Sequence, residues 1–438
     1  MKAGALKRLL KKRFDELKKD REVELLHGGT GAAGGRRSSP HSWTSDLKLD
    51  DKGGIRPILS NLILFLREHP AWTGVFAFDE FCLRVVIRRR PYWGDERPDM
   101  PLVDHHETMV RTWFENEDII ANQSNIGRAI QAAARFNRFH PVQDYLDSLT
   151  WDGKPRIDTW LSVYLGAGDS PYTRAIGPRI LIAGAARILA PGCKVDTMPA
   201  LEGPQGQRKS TALRALFEPW YADRLSALTT KDAAIEMAGV WGIEAAEMEA
   251  INRATTGASK SFISRQSDRY RPPYGKHLVD QPRQSILVGT INPPDGGYLK
   301  DSTGSRRIWP VGCGVIDIEA LARDRGQLWA EAVVRFKADV PWWLETPELE
   351  QLAAVEQAAR YKADEWEGPI TEWLGDRKVT TVHEVLEHVV GLNPKKPNRA
   401  AEMRVAAILK KRLSFFKRRG EDGVKGDARR RKFEYWRP

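Results

Sequence analysis

TMPALEGPQGQRKSTALRALF, residues 197–217, decides how this chain is read. The apolar run TMPALEG has the length and content of a buried strand, and KSTALRALF has helical spacing. Between them a G-x-x-x-x-x-K-S pattern opens at Gly203 and closes on Lys209 and Ser210. Strand, glycine-bearing loop and helix in that order point backbone N–H groups and a helix N-terminus at one spot, which suits a phosphate. The loop Gly203, Pro204, Gln205, Gly206, Gln207, Arg208, Lys209, Ser210 and Thr211 is therefore expected to surround the phosphates of ATP. Lys209 is expected to bridge the β- and γ-phosphates, and Ser210 to help hold Mg2+. Arg208 departs from the pattern: such loops usually carry glycine before the lysine, because the backbone turn there tolerates a side chain poorly.

The residues further along supply what a phosphate-binding loop needs for hydrolysis. VWGIEAAEM, 240–248, is a second strand with two acids near its end but no Asp-Glu pair. Glu247 is expected to orient the attacking water and Glu244 to act as the metal-side carboxylate. QSILVGTINPP, 284–294, is a third strand, and Asn292 at its tip, with Thr290 beside it, is the expected γ-phosphate sensor. DSTGSRRIWPV, 301–311, offers Arg306 and Arg307 for the charge that develops during transfer, often donated by a neighbouring subunit. Each element alone has an ordinary reading, a surface acid or a surface arginine pair; the assignment rests on all four in chain order. Strands alternating with helices predict an α/β fold with a parallel sheet.

Around this core, 438 residues suggest two to four domains. The divisions expected are a basic helix and flexible linker over 1–45, a mainly helical N-terminal domain over 46–165, an ATPase domain with helical extension over 166–365, and a basic winged-helix-like domain over 366–438. Apolar residues at 41% and charged residues at 29% describe a soluble globular chain. No apolar run reaches membrane-spanning length and the basic N-terminus lacks a signal-peptide core, so a cytoplasmic protein without a membrane partner is expected. Cys82, Cys193 and Cys313 have no metal or disulfide spacing, and the adjacent His105, His106 and Glu107 lack that of a zinc site. The fifteen tryptophans are read as core and interface.

The net charge of +11 is uneven: residues 395–438 carry +11, 1–37 carry +6, and the middle is left with −6. Positive charge gathered at the ends is the footprint of nucleic-acid contact, with solvated tails as the plain alternative. Within SKSFISRQSDRYRPPYGKH, 259–277, Lys260, Arg265, Arg269, Arg271 and Lys276 alternate with Tyr270 and Tyr274. That mixture suits a loop gripping single-stranded DNA, or equally an excursion packed on the next subunit. In the C-terminal block Arg399, Arg404, Lys410, Lys411 and Arg412 are candidates for groove contact, with protein docking as the alternative.

The runs YLDSLTWDGKPRIDTWL, LEGPQGQRKST, WGIEAAEM, SKSFISRQSDRYRPPYGK and VGTINPPDGGYLKDSTGSRRIWPV resemble the virulence-associated protein E family, over roughly residues 140–315. That family occurs in phages, prophages and pathogenicity islands and is similar to superfamily 3 replicative helicases. The resemblance implies an AAA+-like P-loop core, with Lys209 and Ser210 in the phosphate loop, Glu244 and Glu247 in the acidic motif, Asn292 as sensor, and Arg306 and Arg307 as the arginine pair. It further implies an ATP-dependent DNA helicase or replication initiator, working as a homo-oligomeric ring (a hexamer) on single-stranded DNA. Origin duplex and a primase or host replication proteins are further expected partners. Relatives usually show glycine in place of Arg208, which leaves a DNA-binding initiator or helicase loader with a weak or degenerate ATP site as the rival reading. A third reading is an interaction protein that blocks a host replication factor.

Overall fold

The computed structural model describes residues 43–94, 97–223, 231–248, 256–271, 277–293, 297–299, 305–392, 398–411, 413, 415–419 and 433–436. The basic N-terminal helix and linker over 1–42, Lys276, Tyr274, Arg412 and the basic stretch 420–432 lie outside the described residues. The chain divides into two compact units, Met1–Tyr145 and Leu146–Pro438.

In the first unit α1 (Leu59–Glu68), α2 (Asp104–Asn116) and α3 (Gln123–Ala134) pack around a core that includes Phe65, Trp72, Phe114 and Ile130. Asn122 caps α3 by accepting the Asn125 N–H at 2.8 Å. This region, expected to be mainly helical, also holds a small four-stranded sheet: β1 (Phe76–Asp79), β2 (Arg84–Ile87), β3 (Met100–Pro101) and β4 (Arg138–Phe139), in the order β3-β2-β1-β4. Strands of two to four residues are too short to display the alternation that reveals a strand in sequence. The helix α4 (Pro141–Ser148) follows.

The second unit opens with α5 (Trp160–Leu165) and α6 (Pro171–Leu189). Ser170 caps α6, accepting the Thr173 N–H at 3.2 Å, and Pro171 takes the first turn, where it costs no hydrogen bond. Fifteen of its nineteen residues are buried, as its mostly apolar composition requires. Then come β5 (Met198–Glu202), α7 (Lys209–Phe217), β6 (Tyr221–Ala222), α8 (Lys231–Glu236), β7 (Gly242–Ala245) and α9 (Thr256–Ile263). A hairpin, β8 (Ser267–Tyr270) and β9 (Val279–Pro282), precedes β10 (Ile286–Ile291) and β11 (Ile308–Gly312). The five strands β11-β5-β10-β7-β6 form one sheet, parallel throughout. β7 and β10 are buried at every position and are apolar or glycine apart from Glu244 and Thr290. The helices α10 (Ile318–Lys337) and α11 (Pro347–Ala359) complete the layers.

The last segment contains α12 (Glu367–Leu374), β12 (Val379–Thr381), α13 (Val382–Val385), α14 (Arg399–Lys411), β13 (Phe416–Arg419) and β14 (Phe433–Trp436). Its three strands pair antiparallel in the order β12-β14-β13, and Val405, Leu409, Phe415 and Tyr435 share one core with α12. No described helix is long and apolar enough to cross a membrane.

A buried aromatic cluster fixes α7 against the sheet. Trp241 and Trp329 lie 4.1 Å apart between ring centroids, and Phe217, the last residue of α7, meets Trp329 at 5.5 Å. Trp241 Nε1 donates to the Gly184 carbonyl at 2.9 Å and Trp329 Nε1 to the Leu216 carbonyl at 3.0 Å. The contact depends on glycine: a Cβ on Gly242 would lie 2.3 Å from the Phe217 ring. Trp329→Ala is predicted to destabilise this unit by about 3–5 kcal/mol in denaturant unfolding, because it leaves a cavity and strips the Leu216 carbonyl of its donor. A loss below about 1 kcal/mol would contradict this role for the cluster.

Candidate functional site

Every strand of the five-stranded sheet points the same way, so the segments following β5, β7 and β10 gather at one edge. The chain leaves β5 toward β6 on one side, then crosses from β10 over β5 to β11 on the other. Ligand crevices of open α/β sheets form where the winding reverses in this way.

The loop from Gly203 to Arg208 sits at that reversal. Gly203 has φ 156° and Gly206 φ 84°. A Cβ at Gly203 would fall 1.7 Å from Gln207 Oε1, so a side chain there would push Gln207 off its carbonyl partners. Gln207 Nε2 donates to the carbonyls of Cys313 at 2.8 Å and Gly314 at 2.5 Å, tying the loop to the end of β11. Arg208 is left-handed, φ 63° and ψ 23°, the conformation that a glycine would adopt without cost. Its carbonyl nevertheless accepts the Ala212 N–H at 3.0 Å and starts α7. Lys209 is buried, and its Nζ donates to the carbonyls of Gly203 at 2.6 Å and Pro204 at 3.0 Å.

Glu244, at the end of β7, is 2% exposed. Its Oε1 accepts hydroxyls from Ser210 at 2.8 Å and Thr290 at 2.5 Å, and its Oε2 accepts the Tyr221 phenol. Burial first, then the bond to Glu244, pushes the Tyr221 phenol above its ordinary range and keeps it a donor. Glu247 lies three residues on, exposed and left-handed at φ 49°, followed by Met248 at φ 47°. Two consecutive non-glycine residues in that region are costly, and such strain gathers at functional sites. Glu247 Oε2 accepts the Asn292 backbone N–H at 3.4 Å, so the ends of β7 and β10 meet there. Ser210, Glu244, Glu247 and Asn292 are thus brought to one edge of the sheet.

Arg306 and Arg307 are not. They immediately precede β11, whose first residue Ile308 pairs with Met198 at the start of β5. A five-residue strand places them roughly 16 Å from the loop, at the opposite edge. Arg306 is exposed, and Arg307 Nε donates to Ser264 Oγ at 2.9 Å.

Of the residues assigned to DNA, Lys260 lies on α9, and Arg269 and Arg271 are exposed, with Arg269 3.6 Å from Asp280. Arg265 donates to Asp268 at 3.0 Å. Tyr270 is turned inward, 5% exposed, with its hydroxyl on Gln281 at 2.6 Å, so its ring offers no stacking face. Lys410 stands 5.9 Å over the Tyr435 ring, and Lys411 closes α14. Arg404 is held by Asp364 at 2.8 Å and lies over the Trp366 ring at 4.0 Å, a clamp between α14 and the residues before α12.

Sequence reading missed Tyr221, which is far from Glu244 along the chain, and the pair Glu202–Arg360. Glu202, the last residue of β5, is buried and accepts Arg360 Nε at 2.9 Å and Nη2 at 2.8 Å. Burial works against the Arg360 cation, but Glu202 and Glu356 outweigh it and hold its pKa above the ordinary range. A charged residue at the end of an apolar strand was the available signal, since a buried carboxylate demands a partner. Among the described residues no cluster of three or more His, Cys, Asp or Glu side chains forms a metal cage.

Arg208→Gly is predicted to raise the unfolding free energy of this unit by up to about 1 kcal/mol by relieving the left-handed backbone. Destabilisation in a denaturant titration would show that the Arg208 side chain compensates for its conformation. Burial pushes the Cys313 thiol up to about 12, so it stays protonated, and it is predicted to resist alkylation at pH 8 until the protein unfolds.

Among solved structures, the A form apo structure of the NrS-1 C-terminal region aligns at 13% identity and a TM-score of 0.44, covering 87% of this chain and 99% of that one. The same region bounded at 305–718 aligns at 12% and 0.41, covering 82% and 95%. No curated protein sequence matches the chain. Residues 146–362 match the Virulence-associated protein E-like domain. Residues 146–362, which hold the glycine-bearing loop, Glu244 and the arginine pair, thus form a domain of the virulence-associated protein E family.

Proposed function

We propose that this chain is an ATP-hydrolysing enzyme acting on DNA during replication of a phage or mobile element, a helicase or initiator that works as a ring, with a hexamer as the expected form. The observation that carries the reading is the 2.8 Å bond between Ser210, in the glycine-bearing loop, and Glu244, at the end of a strand two places away in the sheet. It joins the hydroxyl and the carboxylate that a magnesium–nucleotide site needs.

The residues fit such a ligand. Magnesium in these sites is held mainly by phosphate oxygens and water, with one or two protein oxygens, so a protein cage is not required. Ser210 would supply the hydroxyl, and Glu244, already carrying three donors, would orient it. When bound, the ion neutralises charge on the β- and γ-phosphate oxygens. Lys209 now satisfies two loop carbonyls and would exchange them for phosphate oxygens. Glu247, exposed at the sheet edge, would accept the proton of the water that attacks the γ-phosphorus as the bond to the β-phosphate oxygen breaks. Asn292 beside it would report the γ-phosphate. Arg306 and Arg307, on the far edge of their own sheet, would serve the site of a neighbouring copy.

DNA would be gripped by the hairpin β8–β9 with Lys260, Arg269 and Arg271, and by the basic C-terminal segment, read as a winged helix, with Lys410 and Lys411. Single-stranded DNA is the preferred substrate, with origin duplex, a primase or host replication proteins as further partners. Arg208 favours one second reading, an initiator or helicase loader whose site binds nucleotide but turns it over poorly.

Lys209→Ala is expected to abolish ATP turnover, and Glu247→Gln to lower it by about 10² or more while nucleotide binding is kept. Single-stranded DNA is expected to stimulate the natural protein in a steady-state phosphate-release assay. Nucleotide and DNA binding without turnover in the natural protein would favour the initiator reading.

A further inference from the structure

Val315 is 91% exposed, yet its backbone is fixed. Gly314 N–H donates to the Leu165 carbonyl at 3.0 Å and Asp317 N–H to the Tyr164 carbonyl at 2.9 Å. A Cβ on Gly166 would lie 2.6 Å from the Val315 backbone. Gln207 welds this turn to the phosphate-type loop through the Gly314 carbonyl. The result is a rigid apolar knob beside the candidate nucleotide site.

The opposite edge of the same sheet carries a cleft of about 910 Å³ lined by Arg306, Arg307, Trp343, Leu344, Pro347 and Ala354, among others. Trp343 is 49% exposed. The wall bearing it is also rigid: Trp342 Nε1 donates to the Lys194 carbonyl at 2.8 Å, and Arg179 holds the Trp343 carbonyl at 2.8 Å and the Glu345 carboxylate at 2.6 Å. Knob and cleft sit at the two ends of β11, which runs from the arginine pair to Gly312.

We propose that the Val315 turn of one copy seats in the Trp343 cleft of the next. The inference rests on the shared nucleotide site proposed above. In each chain the knob is bonded to the phosphate-type loop, and the arginine pair lines the cleft. A docking that brings one copy's arginines to its neighbour's loop therefore carries Trp343 toward the neighbour's Val315, so that both contacts form in a single rigid-body approach. Knob and cleft are different surfaces, so the contact is head-to-tail, which generates a closed ring or an open filament. Both surfaces are held before they meet, which lowers the ordering cost of association.

The test places a benzoylphenylalanine photo-cross-linker at position 315 of the full chain, irradiated with Mg2+ and a non-hydrolysable ATP analogue. Cross-linked peptides are expected to join position 315 to residues 342–354 of a second copy. Val315→Glu and Trp343→Ala are each expected to raise the assembly midpoint about tenfold or more in sedimentation velocity, while binding of a fluorescent ATP analogue to the separated chain persists. Assembly with cross-links elsewhere, or a midpoint unmoved by both variants, overturns the knob and cleft and leaves the shared site standing. A chain that hydrolyses ATP but stays monomeric overturns both.

Discussion

The carboxylate of Glu244 is the constraint on which the candidate site depends. A charge 2% exposed at a strand end costs several kcal/mol unless donors surround it. Three hydroxyls do so, from Ser210 on α7, Thr290 on β10 and Tyr221 on β6. Each charge-assisted bond returns about 1.5–3 kcal/mol, and together they lock four separate elements into one register. The same bonds bring the phosphate-type loop to the acidic strand end. Stability and the proposed chemistry therefore share one set of atoms.

β11 connects the two ends of the sheet on which the proposed site draws. Its last residues hold the loop, through Gln207 on Cys313 and Gly314 and through the Cys313 N–H on the Glu202 carbonyl at 2.8 Å. Its first residue follows the arginine pair. A strand buried at four of five positions bends little, so displacement of the loop would be felt at the arginines. The proposed nucleotide site, divided between copies, would need such a strut, because the residues that sense and the residues that assist would lie in different chains.

Much of this was legible in the sequence because the signals were local. The strand–loop–helix at 197–217 and the strands around Glu244 and Asn292 each lie in one short stretch and appear as read. What stayed hidden depends on contacts distant in sequence. Tyr221 reaches Glu244 from a two-residue edge strand, and Arg360 reaches Glu202 across 158 positions. The strands of the first unit were too short to show a period. Arg208 was recognised as out of place, and the backbone supplies the reason: it occupies the left-handed conformation for which glycine is the ordinary choice. Charge counting nominated Arg404 and Arg265 for DNA without seeing that Asp364 and Asp268 engage them.

Mixing two inactive variants tests the central claim, a nucleotide site completed by a second copy. One carries Lys209→Ala, the other Arg306→Ala with Arg307→Ala. In mixed assemblies some sites combine an intact loop with intact arginines, so ATP turnover is predicted to reappear on mixing and to peak near equal proportions. Turnover that stays absent at every ratio, although the two variants co-assemble, would contradict the shared site.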